Sequence, residues 1–340
     1  MEQSGTEVDT AADGSAGGVL VVPARRRWRP PRRLAWAAVV PFAVWAVARV
    51  AGLERGSLPT QIISATPYVA AGSLVPVLTG VLARSRSATA VALVAAAVLG
   101  SSVLPRAVGS AEPTAGAGTP LRVLTVNLLF GQADTGAVMD LVRRLKPDVL
   151  STQELTPEMV ERLDAAGLAE LFPHRVLQAD WGASGSGLYS RYPMTPLEGL
   201  FRPVGHNMPA ARVAPPGAEP FEIVDVHPYA PIGEEVDEWE AGLDSLPPAS
   251  SGTVRVLAGD FNASLDHAAF RRLLDRGYAD AADLTGQGLV PTWPSGRRMP
   301  PVITIDHILV DRRVSVRAVS VHTVPGTDHR AVFADLRLPS

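Results

Sequence analysis

The chain has 340 residues, 46% hydrophobic and 19% charged, so it is too apolar for a disordered polymer and long enough for two or three domains. A net charge of −3 hides a division: residues 1–110 carry 11 arginines against 5 acids, a net of +6, whereas residues 111–340 carry 20 basic residues against 29 acids, a net of −9. The lack of cysteine excludes disulfides, thiolate zinc sites and a cysteine nucleophile, the single lysine (Lys146) argues against Schiff-base and Walker-lysine chemistry, and the acidic C-terminal part disfavours a basic nucleic-acid-binding domain.

Residues 1–24 are polar, rich in Gly and Ala and without hydrophobic period, and read as a disordered tail. Six arginines follow between Arg25 and Arg33 and directly abut apolar sequence. That is the pattern of a positive-inside membrane flank rather than a nucleic-acid patch. Three apolar segments come next, at about 34–53, 57–83 and 87–105. The second contains an uncharged run of 27 residues and the third one of 19, against the ~20 residues a spanning helix needs. A buried helical domain would not be so poor in charge, so three transmembrane helices are predicted. The N-terminal arginines, with Arg84 and Arg86 between the second and third segments, belong on the cytoplasmic side. Three crossings then make a multi-pass plasma-membrane protein with a cytoplasmic N-terminus and an extracellular C-terminal domain. If one segment fails to span, that domain faces the cytoplasm. Residues 106–120 are small and Pro/Gly-containing and read as a linker to a soluble domain over 121–338.

In that domain short β-branched runs end in polar residues. LRVLTV (121–126) leads to Asn127, DVLST (148–152) to Gln153 and Glu154, and FEIVDV (221–226) to His227. VRVLA (254–258) leads to Asp260 and Asn262, and VITI (302–305) to Asp306 and His307. Runs of this kind are core strands. Helices are predicted over 135–145 with Asp134 as N-cap, over 157–166 with Thr156 as N-cap, and over about 265–276. The domain is therefore α/β, with polar groups gathered at one rim of a sheet, where side chains leave the packed core while the backbone stays rigid. Glu154, Asp260, Asp306 and Asp328 bring carboxylates, Asn127 and Asn262 amides, and His227 and His329 imidazoles. Such oxygen-rich sites suit a hard cation, Mg²⁺, Mn²⁺ or Ca²⁺, and such cations suit phosphate-ester hydrolysis.

The set VLTVN (123–127), TQE (152–154), GLYSRYP (187–193), VDVH (224–227), AGDFN (258–262), TIDHILV (304–310) and GTDHRAVFADL (326–336) resembles the endonuclease/exonuclease/phosphatase superfamily over essentially Leu121–Leu338. These are metal-dependent phosphohydrolases related to DNase I, AP endonucleases and neutral sphingomyelinases. The resemblance implies a two-sheet DNase I-like α/β sandwich, here preceded by an all-α transmembrane region. It implies that Glu154 is the principal metal ligand, helped by Asn127 and with Asp328 completing the site. Asp260 would orient and activate the water, Asn262 would bind the phosphoryl group, and His227 would contact phosphate or the leaving group. Asp306 would orient His329 if the two flanking strands lie side by side. His307 and Ser190-Arg191 read as structural, Tyr189 and Trp293 as either substrate contacts or buried loop aromatics, and His174, His206, His267 and His322 as structural. The whole layout is similar to actinobacterial membrane members associated with teicoplanin-type glycopeptide resistance. It implies an outward-facing phosphohydrolase acting on a lipid-linked or small phosphate ester of the cell envelope. An extracellular nuclease and an inactive binding module are the alternatives. A nuclease would draw on Arg297, Arg298, Arg312 and Arg313 as a phosphate-binding patch.

Overall fold

A computed structural model describes residues 30–110, 118–296 and 298–339. The predicted tail, the first arginines of the flank, residues 111–117 of the linker and Arg297 lie outside these residues.

The C-terminal domain is built on strands β1 (Thr119–Asn127), β2 (Val149–Gln153), β3 (His174–Gln178), β4 (Ser186–Ser190), β5 (Met194–Pro196), β6 (Ala210–Val213), β7 (Phe221–Val226), β8 (Arg255–Asp260), β9 (Tyr278–Asp280), β10 (Asp306–Asp311), β11 (Ser315–Thr323) and β12 (Arg330–Leu338). They form two mixed six-stranded sheets, ordered β11-β12-β1-β2-β4-β3 and β5-β6-β7-β8-β10-β9. Each has one parallel pair at its centre, β1–β2 or β7–β8, flanked by antiparallel neighbours. The two-sheet α/β sandwich implied by the motifs is the observed fold.

Side chains of a strand alternate between its faces. Leu121, Val123, Phe221, Ile223, Val256 and Ala258 pack between the sheets. Their alternates Leu124 and Val126 face the layer beneath helices Thr135–Leu145 and Pro157–Ala165, while Val224, Val226 and Leu257 lie under Val236–Ser245 and Ala268–Asp275. Both outer helices of the first sheet start as the sequence predicts. Asp134 accepts from the Ala137 N–H, and Thr156 from the Met159 N–H. Carried to the strand ends, the same parity puts Asn127, Gln153, Asp225 and Asp260 on the inner faces, so the apolar seam turns polar at one rim.

Two expectations need correction. VITI is not a strand; β10 begins at Asp306 and runs away from the rim, pairing Asp306 with Asp260. Antiparallel pairing with β8 sets that register, and local hydrophobicity does not. The strands carrying Asp306 and leading from His329 also belong to different sheets and meet face to face, not side by side.

The N-terminal region is helical. Arg32–Ala51 and Arg86–Val108 are each long and apolar enough to cross a membrane. The second apolar segment is not one tilted helix. It comprises Ser57–Ile63 and Thr66–Leu82, bent by 60° at the break, and the helices together make up to three spans. Ala35 and Val39 meet Ala88 and Ala92 near the start of both long helices, and Ala46 meets Ala95 and Leu99 further along. The first and last helices therefore run parallel. Alanines permit this close approach, and the second segment closes on the last helix at Gly80, where a Cβ would lie 2.7 Å from Thr89 Oγ1.

Both long helices end against the sandwich. Arg106 grips Asp266 with two hydrogen bonds of 2.6 and 2.9 Å, and Arg49 Nε reaches the same carboxylate at 3.2 Å. Asp266 is fully buried and Arg106 is 5% exposed. The predicted linker thus begins as helix and docks, with the Ser110 N–H donating to Leu284 O. Removing one partner of a buried pair leaves the other charge uncompensated, at about 3–5 kcal/mol. Asp266→Ala is therefore expected to lower the unfolding midpoint of the full chain in detergent and expose residues 106–110 to protease. An unchanged midpoint and cleavage pattern would count against this junction.

Candidate active site

Asn127, Glu154, His227, Asp260, Asn262, Asp306, Asp328 and His329 reach the same rim. Asp260, at the end of β8, is the hub. Its Oδ2 accepts from Asn127 Nδ2 at 3.1 Å and lies 3.6 Å from His329 Nε2 and 3.9 Å from His227 Nε2, while its Oδ1 accepts from the Asn262 N–H at 2.9 Å. Asn127 Nδ2 also donates to Glu154 Oε1 at 3.0 Å, and the Phe130 N–H donates to Glu154 Oε2 at 2.8 Å. The Leu129 N–H holds Asn127 Oδ1 at 2.9 Å. Asn127 thus clamps two carboxylates together with its NH₂ group while its oxygen is engaged by the backbone. Asn262 Nδ2 donates to Pro228 O at 3.2 Å, tying the end of β8 to the loop after His227.

His329 lies just before β12, and its Nδ1 is 3.0 Å from both oxygens of Asp306. Thr327 Oγ1 donates to Asn127 O at 2.8 Å and fastens this loop to β1. Gly326 (φ +82°) permits the approach, since a Cβ there would sit 2.5 Å from Gln132 O. Asp328 Oδ2 accepts from Trp293 Nε1 at 3.3 Å. In AGDFN the glycine serves packing, not a turn: a Cβ on Gly259 would fall 2.0 Å from Val226 O of the parallel neighbour β7.

Four non-glycine residues with left-handed backbone, Leu129, Phe130, Glu154 and Asn262, cluster here. Each such residue costs of order 1–3 kcal/mol unless its surroundings hold it. The hydrogen bonds from the Leu129, Phe130 and Asn262 N–H groups to Asn127, Glu154 and Asp260 do that holding.

The electrostatics follow from burial. Burial raises the Glu154 carboxyl, with Asp328 adding to the rise and the Asn127 and Phe130 hydrogen bonds opposing it. Burial, with repulsion from Asp306 and Glu154, lifts Asp260 to about 7 against the attraction of His329. For His329 burial alone would favour the neutral ring, but the Asp306 and Asp260 carboxylates outweigh it and raise it to about 10. His227 is held well below its ordinary value by burial and by the neighbouring His206 and His329. The site thus presents one cationic and one neutral imidazole within 4 Å of a single carboxylate.

Asp260, Asp306 and His329 can bring one ligand atom each within 4.8 Å of one another. His329 Nδ1 is already taken by Asp306, which holds the ring with its Nε2 3.6 Å from Asp260 Oδ2. The carboxylates of Glu154 and Asp328, which line the same cavity, are oxygen donors of the kind that suits a hard divalent cation. Burial, helped by repulsion between neighbouring carboxylates, is what raises Glu154 and Asp260, and a bound positive charge would offset it.

A cavity of about 660 Å³ opens onto these groups, lined by Glu154, His227, Asp260, Asn262, Asp328 and His329. Trp293 lines it, whereas Tyr189 is fully buried in the core away from it. His307 is structural, bonded to Asp280 Oδ2 at 2.5 Å and to Ala263 O at 2.9 Å. His206 differs from its structural reading: it lines the cavity and stacks on His227 with ring centroids 4.5 Å apart. No local sequence pattern marks it, because the loop that carries it has no period. Asp225, also missed, accepts from Gln153 Nε2 at 2.5 Å and from the Gly187 N–H at 2.9 Å behind the site, and burial lifts it to about 8.

A model of the Endonuclease/Exonuclease/phosphatase family matches residues 124–329. Among solved structures the chain is similar to an endonuclease/exonuclease/phosphatase from Beutenbergia cavernae (20% identity, 65% of this chain and 72% of that one, TM-score 0.50). It is also similar to D. rerio TDP2 complexed with a single-strand DNA product (17% identity, 64% and 99%, TM-score 0.52). A third is the 3′ phosphatase NExo from Neisseria bound to a product DNA hairpin (20% identity, 63% and 98%, TM-score 0.50). No curated protein matches the chain.

Proposed function

Because this chain belongs to the endonuclease/exonuclease/phosphatase family, we propose that it is a membrane-tethered phosphohydrolase that uses a divalent cation, Mg²⁺ or Mn²⁺, to cleave a phosphate ester at the outer membrane surface. The observation that carries this reading is the convergence of Glu154, Asp260, the Asp306–His329 pair and His227 on one buried rim. Glu154 and Asp328 would hold the cation, which supplies positive charge to the phosphoryl oxygens. Asp260 accepts a proton from the attacking water. Asn262 donates to the phosphoryl group, His329 offers it a fixed positive charge, and His227 meets the leaving-group side. Asn127 sets the spacing of Glu154 and Asp260.

Charge argues against a nuclease. Among the described residues no Arg or Lys lines the cavity, and Arg312 and Arg313 stand at the far end of β10 from Asp306. Arg313 is also engaged by Asp311 and by backbone carbonyls of Ser250–Gly252. A nucleic-acid groove would need exposed cations along the strand path. The DNA named with the TDP2 and NExo structures belongs to those proteins.

The orientation is supported by the parallel first and last helices, both of which end at Asp266, with Arg32, Arg33, Arg84 and Arg86 at or beside their opposite ends. Protease added to intact cells is expected to digest the catalytic domain. Protection until lysis would place the domain inside. Phosphate release and diester cleavage by the full chain in detergent, with Mg²⁺, Mn²⁺ or chelator, test the chemistry. Metal-dependent cleavage of a phosphate ester is expected, and cleavage of none would reject it.

A further inference from the structure

The cavity is not made by the catalytic domain alone. Gln61, Ser64, Ala65 and Tyr68 of the second apolar segment form its other wall. Ser64 and Ala65 are the residues between its two helices, at the 60° bend. A break in a membrane helix leaves backbone groups without helical partners, and it is tolerated at membrane depth only where protein or a cavity receives it. Here the sandwich receives it. His267 Nε2 meets Thr60 O at 2.8 Å, Tyr68 Oη donates to Val302 O at 2.7 Å, and the Gly233 N–H donates to Ser57 Oγ at 2.9 Å. Tyr68 and Ser57 thus fasten the broken segment to the two loops, at 228–233 and 300–305, that frame the site.

The lining combines two chemistries. The carboxylates and imidazoles come from the sandwich rim, whereas Ala65, Ile232, Val302 and Ile303 come from the broken helix and the two loops fastened to it. At the rim Phe130, Tyr68 and Ile232 are 47%, 55% and 60% exposed. A small, fully hydrated phosphate ester has no use for such a wall. An amphiphile does, because each methylene withdrawn from water gains about 0.8 kcal/mol.

We propose that the break in the second membrane segment is part of the substrate site, and that the substrate is a phosphorylated lipid. Its hydrocarbon chain lies along Ala65, Ile232 and Ile303, and its phosphoryl group lies at Glu154, Asp260 and His329. This rests on the phosphohydrolase reading above and narrows its substrate. In the reaction the water oxygen bonds to phosphorus and the bond from phosphorus to the lipid-side oxygen breaks. The water gives one proton to Asp260, and the lipid-side oxygen leaves with a proton from the cationic His329 imidazole, which Asp260 then returns.

The test uses the full chain in dodecyl maltoside with matched pairs of short- and long-chain substrates: butyl and hexadecyl phosphate, and isopentenyl and farnesyl diphosphate. The readout is the ratio of kcat/KM for the long to the short member. Wild type is expected to favour the long member of at least one pair by about 10-fold or more, the scale of a few buried methylenes. Ala65→Trp, which fills the arm, and Ile232→Asp, which puts a charge at an exposed rim position, are each expected to lower that ratio about 10-fold. The second variant decides if the first does not fold. A ratio near one in wild type, or a preference that both folded variants retain, overturns the proposal while leaving the phosphohydrolase in place. No metal-dependent hydrolysis of either pair would instead remove the phosphohydrolase reading, and this proposal with it.

Discussion

Glu154→Gln is expected to lower turnover by at least about 10³-fold while the protein stays folded. Glu154 is 8% exposed, follows β2 at the rim, and accepts from both Asn127 Nδ2 and the Phe130 N–H. Gln keeps the shape and one acceptor oxygen but removes the negative charge. Its NH₂ group would also meet a donor it cannot satisfy, the Asn127 amide or the Phe130 N–H. The fold should survive because the side chain lies outside the three apolar layers of the sandwich. Burial already opposes the charge on this carboxyl, so in the resting protein the substitution removes a destabilised group. Thermal unfolding, which should stay near wild type, and phosphate release, which should nearly vanish, separate the two effects. A folded variant with full metal-dependent activity would remove Glu154 from the metal site.

The second large effect belongs to the Asp306–His329 pair. Asp306→Asn leaves the imidazole in place but takes away the carboxylate that fixes its ring and favours its cation. Losses of such orienting partners cost about 10–100-fold. His329→Ala removes the group itself, and acid–base contributions of this kind run to about 10²–10⁴-fold. The double variant should be little worse than His329→Ala alone, because both changes disable one unit. Losses that multiply across the double-mutant cycle, or an undisturbed Asp306→Asn enzyme, would show the two acting separately.

The sequence and the structure agree where short β-branched runs form strands buried on both faces. Phe221–Val226 is a strand with the predicted bounds, and β1 and β2 differ from the predicted runs only at their ends. The capped helices agree for the same local reason, since Asp134 and Thr156 act within three residues of themselves. Disagreement begins where distant pairing decides. Nothing in VITIDHILV says that the strand starts at its aspartate; that register comes from β8, some 45 residues earlier. The site residues were legible as types and motifs, but not as a hub around Asp260, because Asn127 and His227 approach it from different strands. His206 carries no motif, and Asp225, although it lies within VDVH, is not marked there as a site residue; both join the site through the packing of the sandwich. The bend in the second membrane segment did leave a trace. Pro67 stands in the first turn of its second half, a position proline favours because it cannot continue a preceding helix.

A metal titration tests whether the carboxylate rim holds a divalent cation required for phosphoester cleavage. The full chain is stripped with chelator in detergent and titrated with Mn²⁺, with bound metal followed by electron paramagnetic resonance and turnover by phosphate release. Turnover should be absent from the stripped protein and should return in proportion to bound Mn²⁺, and Glu154→Gln should lose both together. Full turnover in the stripped protein, or Mn²⁺ binding and turnover that are unchanged in Glu154→Gln, would contradict it.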